Sequence, residues 1–117
     1  KMVGLSIKAA EELSLKHGIN AEIINLRTIR PLDTETIIES VKKTNHLITV
    51  EEGWPQHGVG AEICSLIIES EAFDYLDAPV ARITGADVPM PYSIKLEQQA
   101  IPQIDNIYNT VLRVLNK

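Results

Sequence analysis

The sequence predicts an α/β fold, a three-layer α/β/α arrangement around a mainly parallel sheet. Three observations carry that prediction. Short apolar runs rich in β-branched residues, at 21–26, 46–51 and 80–85, alternate with longer segments of helical periodicity. Loops rich in Gly, Pro or Asp follow each run, as connections at a sheet edge do. Strands separated by helix-length crossovers pair in parallel through right-handed connections, which places helices on both faces.

The elements follow in order. Residues 3–17 (VGLSIKAAEELSLKH) read as a helix with Leu5, Ala9 and Leu13 on one stripe and Gly18 as its stop. AEIINL, residues 21–26, reads as a buried strand. Asp33 is placed to cap a helix over TETIIESVKKT, whose Ile37, Ile38 and Val41 face inward and whose Lys42 and Lys43 suit its negative end. HLITVE, residues 46–51, is the next strand. Gly58 to Glu69 reads as a third helix, with Ile63/Ile67 and Cys64/Ile68 as its i, i+4 pairs. VARITG, residues 80–85, is the third strand. Beyond the Pro-rich turn DVPMPYS, Gln103 to Leu115 is the most regular helix, with Ile104, Ile107, Tyr108, Val111, Leu112 and Leu115 on one face.

In such a sheet the loops leaving the strands open at one edge, where open α/β sheets place their sites. Those loops are 27–33, 51–58 and 85–92. They are expected to bring Arg27, Arg30, Glu52, Trp54, His57, Asp87, Met90 and Tyr92 to one rim.

Composition narrows the functions. A chain of 117 residues is one domain's length, enough to bury roughly two-thirds of its unfolded surface. Its net charge of -5 and scattered basic residues argue against nucleic-acid binding, which needs a basic stripe. No apolar run approaches the roughly 20 residues of a membrane span. A single cysteine, Cys64, excludes an internal disulfide and a cysteine-rich metal site, and points to a reducing compartment.

The densest stretch of chemistry is EEGWPQHGVG, residues 51–60. Glu51 and Glu52 are neighbours at a strand end, so their side chains point to opposite faces and do not form an acid/base dyad. The expected arrangement is one Glu paired with an Arg and the other solvated. His57 is a candidate base by residue type, but no nucleophile elbow accompanies it. His17, His46 and His57 lack metal-ligand spacing. Cys64 falls in the apolar stripe of its helix and reads as a small core residue. The glycine turn ahead of the third helix resembles an anion cradle, yet neither established phosphate-loop pattern is present. Trp54, with Met90 and Tyr92 among prolines, has the composition of an interface core, or alternatively of loop packing. Trp54, His57, Met90 and Tyr92 are therefore the candidate interface rim.

AEIINLRTIRPLDTETI, HLITVEEGWPQHGVGAEI and APVARITGADVPMPY, in this order, resemble the C-terminal domain of the transketolase family. Within it they are most similar to the beta subunits of pyruvate dehydrogenase. The resemblance spans residues 1–117 and implies a transketolase C-terminal-like domain, a fragment of a longer beta subunit. It implies an enzyme of alpha and beta subunits that decarboxylates pyruvate on thiamine diphosphate with magnesium, then acetylates the lipoyl group of the acyltransferase. The cofactor would lie between the alpha subunit and the beta subunit's N-terminal domain, so no catalytic, cofactor-binding or metal residue is expected in these 117. The domain's own part would be contact with a second beta subunit and with the alpha subunit, and docking of the acyltransferase's basic subunit-binding domain. The positions matching the family's docking residues are Asp77, in FDYLDAP, and Lys117 with its terminal carboxylate; Asp74 is an acidic neighbour. The bland reading of Asp77 is a solvated turn residue.

The family has one more strand ahead of the position of Lys1, between those matching 21–26 and 46–51. Its loss would leave two rows of unpaired backbone groups, to be met by a preceding segment or by another chain. The expected location is the bacterial cytoplasm, with the mitochondrial matrix as the alternative. Three rival functions stay open: another 2-oxoacid dehydrogenase beta subunit (branched-chain or acetoin), a free-standing anion or small-ligand module, and an independent enzyme using His57.

Overall fold

The computed structural model describes residues 1–86 and 93–117. Helix α1 (Met2–His17) leads through an irregular segment to α2 (Thr34–Thr44), strand β1 (Ile48–Val50) and α3 (Val59–Ile68). A single 3-10 turn (Glu71–Tyr75) precedes strand β2 (Ala81–Ile83), which is followed by α4 (Ile94–Ala100) and α5 (Ile104–Val114). The two strands pair in parallel, with Ile48 beside Ala81, Thr49 beside Arg82 and Val50 beside Ile83. Helix α3 and the 3-10 turn lie in the crossover between them.

Alternation along β1 sorts the core into two halves. Ile48 and Val50, with Ile83, face Ala9 of α1 and Ile107 of α5. Leu47 faces the other way, toward Ile37 and Val41 of α2, Ile63 and Ile67 of α3, and Ala72. Helices thus cover both faces, as an α/β domain with a parallel sheet requires. Leu13, Ile67 and Val41 are the largest fully buried side chains. Each contributes about 1.5–3 kcal/mol by leaving water.

The helix ends follow their sequence signals. Gly18 takes the left-handed conformation (φ 66°) that stops α1; its amide donates to Ser14 O at 3.1 Å, and the Ile19 amide donates to Leu13 O at 3.3 Å. Asp33 caps α2, its side chain accepting from the Thr36 amide at 3.2 Å and the Thr36 hydroxyl at 2.7 Å. These bonds, the hydroxyl's foremost, hold the Asp33 carboxyl below its ordinary pKa. Lys42, near the end of α2, donates to Glu71 at 3.1 Å, which raises its pKa above the usual value and ties α2 to the 3-10 turn.

One expected element is corrected. Residues 21–26 do not form a strand. A strand needs a neighbour to take its amides and carbonyls, and among the described residues none pairs with this segment. Instead a cavity of about 670 Å³ opens along it, lined by Ile24 and Leu26 and, from β1, by Ile48 and Val50. Helix α4 and the 3-10 turn are elements the sequence reading did not identify. Ile94 and Leu96 of α4 are exposed, so its apolar residues do not form the inward stripe by which helices are recognised.

Candidate functional site

Alternation at the end of β1 also decides where its two carboxylates go. Glu51 shares the face of Leu47 and Thr49 and turns toward α3; Glu52 turns to the α1 face. The Glu51 Oε2 atom accepts the Gly60 amide at 2.9 Å, and its Oε1 lies 3.8 Å from Arg82 Nη2. Glu52 is exposed, 3.9 Å from Lys1 Nζ at the start of α1. The pair therefore divides as expected, one acid with an arginine and the other at the surface.

Thr49 and Arg82, side by side in the strand register, complete a polar cluster under α3. Arg82 Nη2 also donates to the carbonyl of Pro55. Thr49 Oγ1, Glu51 Oε1 and Arg82 Nε are buried without a hydrogen-bond partner. Sequence reading singled out none of Thr49, Gly60 and Arg82. The available signal was a charged residue in the middle of the apolar run VARITG.

This arrangement bears on both small-molecule readings of the loop. The Gly60 amide, the donor that an anion at the α3 N-terminus would use, is taken by the Glu51 carboxylate. Phosphate entering there would meet a negative charge. His57 sits exposed on the turn in the left-handed region (φ 59°). It borders a shallow depression of about 310 Å³ with Glu62 and Ser65. Among the described residues no hydrogen bond joins the three, as nucleophile and base would require. Nor does any group of three His, Cys, Asp or Glu among the described residues gather to hold a metal ion. No helix among them is long and apolar enough to cross a membrane.

Trp54 is 54% exposed on the same loop. Met90 and Tyr92, and Asp87, lie outside the described residues. Arg27 and Arg30 are exposed on the segment before α2.

Asp77 lies at the opposite edge of the sheet. Its amide donates to Asn45 O at 2.9 Å, and the Asn45 side chain donates to Tyr75 O at 2.7 Å. Asn45 ends α2 just before β1, so Asp77 stands where the strands begin and Trp54 where they end. Around Asp77, Phe73 (52%) and Tyr75 (42%) are exposed, as is Asp74. Exposed Lys117 follows α5, its amide donating to Leu112 O at 2.8 Å.

Relatives share this sequence closely. The chain is 62% identical over 113 residues to "Pyruvate dehydrogenase E1 component subunit beta-1, mitochondrial" of Oryza sativa subsp. japonica. It is 60% identical over 114 residues to the "Pyruvate dehydrogenase E1 component subunit beta, mitochondrial" of Saccharomyces cerevisiae, and 59% identical over 114 to that of Homo sapiens. These alignments cover 97% of this chain and 30–32% of the relatives, so the chain spans under a third of their length. The relatives' names are mitochondrial and their organisms eukaryotic, which overturns the expectation of a bacterial cytoplasm. A folded domain's residues answer to its core and contacts rather than to its compartment, so composition carried no signal for it. Residues 1–107 match the family described as "Transketolase, C-terminal domain". The parallel strand pair between two helical layers, the motifs on its loops and this match lead to one conclusion: the chain belongs to the transketolase C-terminal domain family.

Proposed function

We propose that residues 1–117 form the C-terminal assembly and docking domain of a mitochondrial pyruvate dehydrogenase beta subunit. The observation that carries this reading is identity of about 60% to such subunits over 97% of the chain. In the full enzyme, thiamine diphosphate and magnesium supply the means to decarboxylate pyruvate, and they are held by polypeptide outside these residues. The chain's own contribution is surface: contacts with a second beta subunit and with the alpha subunit, and a seat for the subunit-binding domain of the dihydrolipoyl acyltransferase.

That seat is centred on Asp77 and includes Lys117. Exposed Phe73 and Tyr75 beside Asp74 and Asp77 give this edge apolar anchors among negative charge. A basic helical module fits such chemistry: charge sets encounter rate and register, and aromatic burial supplies retention. The rim at the other edge, with Trp54 and His57, meets another subunit.

The test is calorimetric titration of the assembled alpha/beta enzyme with the subunit-binding domain. Binding is expected to weaken with added salt and to fall at least about tenfold in Asp77→Ala, as for a charged partner lost at an interface. Tight binding indifferent to Asp77→Ala and to salt would refute the seat. Failure of the longer protein to decarboxylate pyruvate would refute the wider reading.

A further inference from the structure

We infer that Arg82 is the positioning residue that sets the 51–58 loop and presents Trp54 at the rim; its functional weight rests on the rim reading above. The loop is fastened on both sides of Trp54. Before it, the Gly85 amide donates to Gly53 O at 2.9 Å. After it, Arg82 Nη2 donates to the carbonyl of Pro55. Both fastenings come from β2 and its exit. The Trp54 backbone is thereby ordered while its side chain stays 54% exposed. A large aromatic held in place before contact has less ordering entropy to lose on binding, and such residues dominate interface energetics.

The fold makes room for the guanidinium. A Cβ at Gly60 would stand 2.8 Å from Thr49 Oγ1 and 3.4 Å from Arg82 Nε. Glycine inside a helix is less favourable than alanine. Here it lets α3 close over the arginine. Glu51, its Oε1 3.8 Å from Nη2, pairs with this half-buried charge. Lysine would bring a single point charge on a flexible stem, without the rigid guanidinium plane that holds Nη2 toward both the Pro55 carbonyl and the Glu51 carboxylate.

Trp54 is the sole tryptophan, so its indole reports on this loop alone. In the 117-residue chain, Arg82→Lys and Arg82→Gln are expected to shift the Trp54 indole N–H resonance and quicken acrylamide quenching, while far-UV circular dichroism is retained. Thr49→Val, in the same cluster but without a bond to the loop, should leave both signals in place. An unchanged Trp54 signal in a folded Arg82→Lys variant overturns the inference. So does a Thr49→Val change as large as that of Arg82→Lys, because the effect would then be general destabilisation. Should Arg82→Gln unfold, Arg82→Lys decides. Assembly of the full alpha/beta enzyme is a separate readout: a shifted Trp54 signal with undiminished assembly leaves Arg82 as the positioning residue and removes the rim reading instead.

Discussion

The carboxylate of Glu51 accepts the amide of Gly60 at 2.9 Å, so the end of β1 caps a helix that does not cap itself. Helix α3 starts from Gly58, which has no side chain to offer its free amides. Glu51→Ala removes that acceptor and strips Arg82 of its counter-charge. A loss of about 1–3 kcal/mol is expected in urea unfolding. Glu51→Gln, which keeps an amide oxygen for Gly60, should lose less.

Gly60→Ala is expected to destabilise although alanine is the better helix former. Its Cβ would meet Thr49 Oγ1 at 2.8 Å, closer than packing allows. Overpacking of this kind costs about 1–3 kcal/mol. Adding Thr49→Ala should recover part of the loss, and the double-mutant cycle should read a favourable coupling. Additive losses would show that the two sites do not meet.

Asp33 gives a pH-dependent contribution of known sign. Its folded pKa is depressed below the ordinary 3.8 by the Thr36 hydroxyl and amide. The contribution is therefore fully present above that value and is lost as pH falls through the folded pKa. Acid unfolding of wild type and Asp33→Asn should diverge in this window and run parallel above it. Asp33→Ala should lower stability at neutral pH as well, because the cap itself is gone.

The cavity between residues 21–26 and β1 is lined by Ile24, Leu26, Ile48 and Val50 among others, and β1 borders it. Extending the chain ahead of Lys1 with a β-branched apolar segment of about five residues, an ordinary strand length, should raise the unfolding midpoint. Hydrogen exchange at the amides of residues 21–26 should slow in step. Unchanged exchange there would mean that the added segment does not enter the sheet.

Much of the architecture was legible because its signals are local. The stripe Leu5, Ala9, Leu13, the Asp33 cap and the Gly18 stop each act within a turn or two, and the helices stand where those residues place them. The division of Glu51 from Glu52 was legible too, since alternation along a strand is a property of the backbone. AEIINL was different. Its composition is that of a strand, but a strand is a relation between two segments, and among the described residues no segment pairs with it.

The candidate sites divide the same way. The sequence by itself determined the family, helices α1, α2, α3 and α5, the parallel strand pair and the chemistry of the 51–60 loop. Tertiary structure alone decided that Arg82, from a strand that reads only as core, grips that loop, that Gly60 is the space it needs, and that Asp77 and Trp54 stand at opposite edges. The physical reason is range. Propensity, capping and alternation act between near neighbours in the chain. The Arg82–Pro55 and Asp77–Asn45 contacts join residues far apart in sequence, and come into being only when the sheet assembles.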